Sequence, residues 1–528
     1  MIVQLGFPHW LTISQLRDIC EQRAQVTVSD AALEKVEASR TVLEQYTLDR
    51  LPVYGVNTQF GDDAYRVVIE GDYEKYVLSV AHRQNDVMRA LGCGVGDVHS
   101  PEICRATIAL RVHLLAQGCS GVRRILVERL AKLLAADVIP YFYKFGSVGA
   151  SGDLVPLSAI ARLTMGEGEV RFQGEQCTAA EALRRVGLLP DPLTMKEGLA
   201  IVNGTSFMTA IAALAVSRLC WLLPLSIAAA ATSVEAMLGM DSPYEPFVHE
   251  GKHHSGQVRV ASFVRKCWEN SSLIRSLDTL RQEWRTMILG SGRAEQENVQ
   301  DYYSLRGIAH GFGPFYDDLE RAVEWVENEM NSLNDNPLID SDHQRIHSSA
   351  NFLGDYIAVI CDHLRSDVAK SGTWLHALLG NLVNPRKNRG LPSCLVRDPD
   401  STTGFKTVQL LMASLVIENR GRCVPVSSVM LPTEGDNQDM VSLGTHSATQ
   451  LMEVVDNFQL IVAIMLVSVA QAIELRGIDK ASDGGRAIVH FVRQSCLFLD
   501  RDRALRDEIL EVSRRLRQCE LATPWFTM

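Results

Sequence analysis

The residues from Phe145 to Ser158 read FGSVGASGDLVPLS. Gly146, Gly149 and Gly152 fall close together, and an apolar segment stands on either side. A glycine-rich stretch of this kind usually cradles a phosphate. The pattern here is neither G-x-x-x-x-G-K-S/T nor G-x-G-x-x-G, and Asp153 would repel an anion. A plain turn would account for the glycines alone. The central residues, Ala150-Ser151-Gly152, permit a third chemistry. An amide nitrogen can close on the carbonyl carbon two residues earlier only where no side chain obstructs it. Glycine has no Cβ, and alanine adds only a methyl. Ring closure with loss of water, followed by loss of water from the serine, leaves an exocyclic methylene conjugated to a carbonyl. That is a strong electrophile made from the chain itself.

Five other polar stretches carry side chains suited to a common site: YGVNTQFGDD (54–63), IVNGTS (201–206), VQDYYSLRG (299–307), NDNPLID (334–340) and EGDNQD (434–439). They are rich in Asn, Gln, Tyr, Arg and Asp, which are costly to bury unpaired. Any one of them would ordinarily be a surface turn. Taken singly, Tyr54 reads as a turn aromatic, Arg306 as a surface ion pair and Asn203-Gly204 as a turn signal. Phe352 reads as core, and Glu418 as helix-surface charge. Their number and shared composition point to one site.

The elements that position these stretches are mostly helical. In VERLAKLLAADVIP, Val127, Leu130, Leu133 and Leu134 share one face; in ALRDEILEVSRRLRQ, Leu505, Ile509, Val512 and Leu516 do the same. Strand alternation is sparse. The segment GEVRFQGEQCT, with Val170 and Phe172 ahead of Gly174, predicts a small hairpin. Two apolar runs, 219–240 and 458–476, are long. Pro224 and Glu235 break the first, and Ser468, Gln471 and Glu474 mark the second, so neither is a clean membrane span. Both are expected as helices buried at the centre of a large bundle. The chain reads as mainly α, with long buried central helices and a small loop-rich N-terminal part. We expect an N-terminal region 1–205 carrying Tyr54 and the glycine loop, a central bundle 206–480 and a C-terminal helical segment 481–528.

Over 528 residues, 46% are hydrophobic and 22% charged, as in a globular protein with a large core. The net charge of -11 argues against a nucleic-acid or anionic-membrane surface. The opening MIVQLGFPHW lacks the pattern of a secretory signal. Twelve cysteines include no C-x-x-C, so no zinc site of that type is suggested. Cys93 and Cys423 read as small apolar residues, no metal is expected, and the cytosol is the expected compartment.

The stretch GSVGASGDLVPLS resembles, position by position, the signature of the aromatic amino acid ammonia-lyases and aminomutases. The resemblance runs in order from LPVYGVNT to DNQDMVSLG, most of the chain. It implies the family's helical-bundle lyase fold and a methylidene-imidazolone (MIO) group built from Ala150, Ser151 and Gly152, with no external cofactor. It further implies Tyr54 as the base that takes the β-proton and Arg306 as the clamp on the substrate carboxylate. Gln300 and Tyr303 match the site residues before that arginine, Tyr303 among the catalytic ones. Asn203 matches an asparagine beside the MIO group and substrate, Phe352 a phenylalanine near the prosthetic ring, and Glu418 an acid near the substrate amine. Asn437 and Gln438 match a stretch that supports the site without chemistry of their own. A phenol ionises at about 10, so Tyr54 is expected near cations or helix N-termini. Gln59 replaces the family's usual glycine, and SDVAKSGTW (366–374) does not match its Ser-Glu-Arg-Arg helix. The second helical lyase class, resembling fumarase and aspartase, carries a Gly-Ser-Ser loop with Met-Pro and Lys-Asn, which has no counterpart here.

The family's ring-recognition pair aligns with Ala90-Leu91, ahead of CGVG. Histidine-specific members resemble Ser-His there, tyrosine-specific ones His-Leu and plant phenylalanine ones Phe-Leu. Without histidine at either position, an imidazole or phenol ring loses its hydrogen-bond partner. A phenylalanine-like substrate is therefore expected. Lyase and 2,3-aminomutase share the electrophile, base and clamp; they differ in whether ammonia escapes, which depends on lid mobility. The lyase is favoured on generality. The resemblance also implies a homotetramer, with no nucleic-acid or membrane partner. A catalytically inactive helical scaffold is the alternative of another class.

Overall fold

In a computed structural model of the chain, residues 1–67, 72–291 and 300–518 are described. Val299, at the start of the expected 299–307 loop, and residues 519–528 of the expected C-terminal segment lie outside them. Nineteen α-helices and nine short strands make up the described part, so the mainly helical expectation holds.

The helices form where apolar periodicity and capping agree. Helix Arg124–Ala135 buries Leu126, Val127, Leu130, Leu133 and Leu134 on one face. Leu505, Ile509, Val512 and Leu516 are buried at and along helix Arg506–Arg517. Asp72 caps helix Tyr73–Ala90 by accepting from the Lys75 amide at 2.9 Å. Ser100 and Pro101 start helix Pro101–Leu115. The expected hairpin is present: strand Glu169–Phe172 pairs with Glu175–Thr178, and Val138–Pro140 adds a third strand.

The two long apolar runs lie within helices Ser206–Ala236 and Gly444–Arg476. Both are mostly buried inside the protein, as central helices should be. Pro224 does not break the first: the helix runs through it to Ala236. Glu235, also expected to interrupt, sits fully buried in the last turn. Its carboxylate accepts from Ser271 Oγ (2.7 Å) and Ser482 Oγ (2.8 Å), which satisfies the charge in place.

The chain divides into two compact units. One comprises Met1–Ser217, Ala322–Asp362 and Pro425–Met452; the other comprises Arg218–Arg321, His363–Val424 and Glu453–Met528. The first holds Tyr54, Ala90, Leu91, the glycine loop, Asn203 and Phe352. The second holds Gln300, Tyr303, Arg306 and Glu418.

Three expected loops contain regular structure. Ile201 and Val202 end helix Glu197–Val202, Tyr303–Arg306 is a helical turn, and Leu338–Asp340 is a strand. Asn203, at the end of the first, is pinned to Asp335 and Asn336 ahead of the third.

Candidate active site

The glycine loop begins where strand Tyr143–Phe145 ends. That strand pairs antiparallel with Val95–Val98, just beyond Ala90-Leu91. Gly149 and Gly152 both adopt left-handed backbone, φ +71° and +69°, where a side chain is strained. The loop packs too closely for anything larger. A Cβ on Gly152 would overlap the Gly204 carbonyl, and one on Gly149 would overlap Ser442 Oγ. Gly152 faces Gly204 in a parallel bridge. The Asp153 amide donates to the Gly204 carbonyl (2.8 Å), and the Gly204 amide donates to the Ser151 carbonyl (3.2 Å). That bridge uses the groups on either side of Gly152 and leaves the Gly152 nitrogen out of the ladder. Ser151 Oγ donates to Asn203 Oδ1 at 3.1 Å, and Ala150 is buried.

Asp153 explains why this loop is not a phosphate cradle. It is fully buried, and its carboxylate is already engaged. Oδ1 accepts from Ser147 Oγ (2.8 Å) and from Thr445 Oγ1, and Oδ2 accepts from the Met208 amide (2.9 Å) in the first turn of helix Ser206–Ala236. The protein's own carboxylate thus occupies the helix N-terminus where an anion would bind. Burial pushes Asp153 above the usual carboxylate range, and these donors and Arg111 oppose the shift.

Behind the loop lies a buried charge cluster of which the sequence reading had Asn203 and the stretch that holds Asp335, but not Arg111 or Lys196. Arg111, Lys196, Asp335 and Asn203 are all inaccessible to solvent. Lys196 Nζ pairs with Asp335 Oδ2 at 2.5 Å. Asn203 Nδ2 donates to the Asn336 carbonyl (2.9 Å) and more loosely to Asp335 Oδ1 (3.4 Å), which fixes the Oδ1 that meets Ser151. Arg111 Nη1 donates to the carbonyls of Asn203 (2.9 Å) and Ala200 (3.2 Å). Burial lowers Arg111 to about 10, opposed by Asp335 and Asp153, so it stays charged at neutral pH. Its sequence signal is a lone arginine inside the apolar run IALRVHLL.

Tyr54 lies in a tight turn pinned from helix Tyr73–Ala90. Gln84, fully buried, donates to the Gly55 carbonyl (2.5 Å) and accepts from the Leu199 amide (3.1 Å). One side chain therefore ties the Tyr54 turn to the helix that delivers Asn203. Tyr54 Oη accepts from the Gly61 amide (3.0 Å) at the start of a short 3-10 turn. The expected cation is not among the groups that act on it. Burial raises the phenol above its ordinary value, the Gly61 amide lowers it, and the carboxylate of Glu434 raises it further.

In the second unit, Gln300, Tyr303 and Arg306 line one cleft of about 580 Å³, together with Asp301, His310 and Trp374. The Arg306 guanidinium lies over the Tyr303 ring, 4.8 Å from its centroid, and Tyr303 is 78% exposed. Asp301 is spent: it accepts from Arg389 Nη2 (2.7 Å) and the Met240 amide (2.8 Å).

The remaining candidates are placed as follows. Ala90 and Leu91 form the end of helix Tyr73–Ala90 and its cap, exposed and half-buried. Phe352 is half-buried in the turn before helix Asp355–Val383. Glu418, exposed on helix Lys406–Gly421, is paired with Arg422 at 2.8 Å. Gln438 closes a small turn with Thr433 (2.6 Å), and Asn437 is exposed within it. Cys93 is exposed rather than packed as a small apolar residue, because it lies in the bend between helix Tyr73–Ala90 and strand Val95–Val98. Cys423 is half-buried.

The architecture, long buried helices carrying short polar connections, is that of the helical lyases. The family model for aromatic amino acid lyases matches residues 11–494. A histidine ammonia-lyase from Geobacillus thermodenitrificans (strain NG80-2) is 34% identical over 518 residues, covering 98% of this chain and 97% of that one. The crystal structure of a tyrosine aminomutase from Streptomyces globisporus superposes with a TM-score of 0.92 at 33% identity, with 98% of each chain covered. A phenylalanine aminomutase from Pantoea agglomerans gives 0.92 at 28% identity over the whole of both chains. The chain belongs to the aromatic amino acid lyase family. It is an enzyme of the ammonia-lyase and aminomutase kind, a family that acts on small amino acid substrates.

Proposed function

We propose that the protein is an MIO-dependent ammonia-lyase that eliminates ammonia from an L-aromatic amino acid, phenylalanine-like, to give an α,β-unsaturated aryl acid. The carrying observation is the geometry of 150–152: Gly152 in left-handed backbone against Gly204, its nitrogen outside the ladder, and Ser151 Oγ held by Asn203. These residues fit the group. Cyclisation needs a Gly152 nitrogen not tied up in pairing and a fixed Ser151; the bridge that bypasses that nitrogen and the Asn203 bond to Ser151 Oγ support this. The MIO group, once formed, supplies the electrophile that activates the substrate amine.

In this reading the chain's own residues bind, orient and move the proton. Arg306 clamps the carboxylate with its forked donors, with Gln300 and Tyr303 beside it. Tyr54 takes the β-proton. Because burial and Glu434 keep its phenol protonated, it becomes a competent base only when positive charge arrives, and the substrate's ammonium brings it. Asn203 holds Ser151 Oγ until its water is lost and then faces the substrate, Phe352 packs near the ring, and Glu418 receives the amine. Ala90 and Leu91 offer no hydrogen bond to a phenol or imidazole, which supports an apolar ring. The relatives named for histidine and tyrosine leave this preference to experiment. The aminomutase reading is the second, supported by the match to two aminomutase structures. Self-association as a homotetramer in the cytosol belongs to the same proposal.

The test is incubation with Phe, Tyr and His separately, with ultraviolet detection of the unsaturated acid and chromatography for any β-amino acid. Intact mass should be lighter than the plain chain by two waters. Ser151→Ala should cut turnover by about three orders of magnitude or more; retained activity would overturn the mechanism, and an unshifted mass would favour an inactive scaffold.

A further inference from the structure

The Arg306 cleft contains a histidine whose tautomer the surrounding hydrogen bonds determine. His249 Nε2 lies 2.9 Å from the Pro243 carbonyl, which can only accept, so Nε2 carries the proton. His249 is buried, and its Nδ1 faces the Gln257 amide nitrogen, which can only donate, so Nδ1 is a bare acceptor; burial, which lowers the ring's pKa, acts in the same direction. Gln257 Nε2, also buried, lies 2.9 Å from that Nδ1 and donates to it. The second hydrogen of the same amide is directed at His310 Nε2, 3.3 Å away. His310 therefore accepts at Nε2 and, when neutral, must carry its proton on Nδ1. Its pKa is lowered too, by burial and by Lys252.

The backbone explains why this relay can form. Helix Ser255–Cys267 crosses helix Ile308–Met330 at glycines: a Cβ on Gly313 would press on the Gln257 backbone, and one on Gly256 would overlap the Gly313 carbonyl. That approach brings Gln257 within reach of His310. On the other side, Gly307 and Gly311 lie against the Trp374 ring. His310 lies between these contacts and lines the same cleft as Arg306. The two are four residues apart along a nearly continuous helical path, with the amides of His310 and Gly311 both donating to the Gly307 carbonyl. Both side chains face the same cleft across the Gly307 joint.

We infer that His310 is a second donor to the substrate carboxylate: its Nδ1–H, fixed by the Pro243–His249–Gln257 relay, binds one carboxylate oxygen while Arg306 binds the other. The inference rests on the reading of Arg306 as the carboxylate clamp. Arg306 supplies charge; His310 supplies a neutral, oriented hydrogen bond that a carboxamide cannot use equally. Gln257 is a positioning residue that acts through the tautomer.

The experiment compares inhibition by an aryl acrylate and by its primary amide, the aryl group matched to whichever amino acid turns over, using the full-length enzyme of mature mass. His310→Ala should weaken the acid by about tenfold and leave the amide unchanged, the loss expected of one hydrogen bond to a charged group. His310→Asn, which keeps a donor near the Nδ1 position, should restore most of the difference. Gln257→Leu should weaken the acid less than His310→Ala. An unchanged acid-to-amide ratio in His310→Ala overturns the inference while leaving the Arg306 clamp standing. If the wild-type enzyme itself fails to distinguish acid from amide, the Arg306 reading falls as well.

Discussion

The glycine loop and the Arg306 cleft are built in opposite ways. Around Ala150-Ser151-Gly152, backbone is packed against backbone: Gly152 on Gly204, Gly149 on Ser442, Asp153 consumed by three donors, and a buried Lys196–Asp335 pair behind. Around Arg306, itself half-buried, Gln300, Tyr303 and His310 are exposed, and the firm contacts lie one layer back, in Asp301 with Arg389 and in the His249–Gln257 relay. On the proposed function, the difference follows from the chemistry each must do. A reagent made from the chain forms only if the backbone is held in one geometry before any substrate arrives, so the backbone around it is closely packed. A recognition cleft must admit and release a substrate, so its charged groups stay accessible and only their supports are fixed.

Substitutions should separate the two regions. The largest effect belongs to the loop. Gly152→Ala forces a side chain into left-handed backbone and into the Gly204 carbonyl. It should leave the intact mass at that of the uncyclised chain and reduce turnover by about three orders of magnitude or more. A fully matured mass in that variant would show that the close packing is dispensable and would erase the contrast. In the cleft, Arg306→Lys should keep the two-water mass deficit of the mature protein and raise KM about tenfold, because a point charge replaces a fork. Loss of that deficit would mean that the two regions are not separable.

A smaller effect concerns stability. Burial pushes Glu329, which is bonded to Thr205 Oγ1 at 2.5 Å next to Gly204, up to about 7. The unfolded carboxyl ionises near 4.5, its ordinary value. Between those values the native state holds a proton that the unfolded state has lost, so stability falls as pH rises through this window and levels above it. Glu329→Gln should remove that slope and stabilise the protein at pH 8 by about 1–2 kcal/mol, measured by denaturant titration at pH 5 and pH 8. An unchanged slope would place the titration elsewhere in the loop's surroundings.

Much of the fold was legible in the chain. The 3.6-residue periodicity around Val127 and Ile509 marked helices that exist, and the Val170-Phe172 alternation marked the hairpin. Pro224 misled, because surrounding packing outweighs one missing backbone bond in a long buried helix. The tight backbone of the glycine loop was legible because Gly149 and Gly152 stand where a side chain has no room. Arg111, Gln84 and Lys196 were not. Each acts through a partner about thirty to one hundred and forty residues away, such as Gly55, Asn203 or Asp335, and no local pattern encodes such a pairing.

By itself the sequence determined the helical class and the tripeptide with its unobstructed backbone, because periodicity and the absence of side chains are local properties. It also supplied the identity of the groups with usable charge. Only the tertiary structure decided that Asp153 is consumed at a helix N-terminus and that Glu434 rather than a cation acts on Tyr54. The same is true of the His310 proton, which the relay assigns to Nδ1. Protonation, tautomer and hydrogen-bond saturation depend on what distant segments bring within about 3 Å, and that distance exists only after folding.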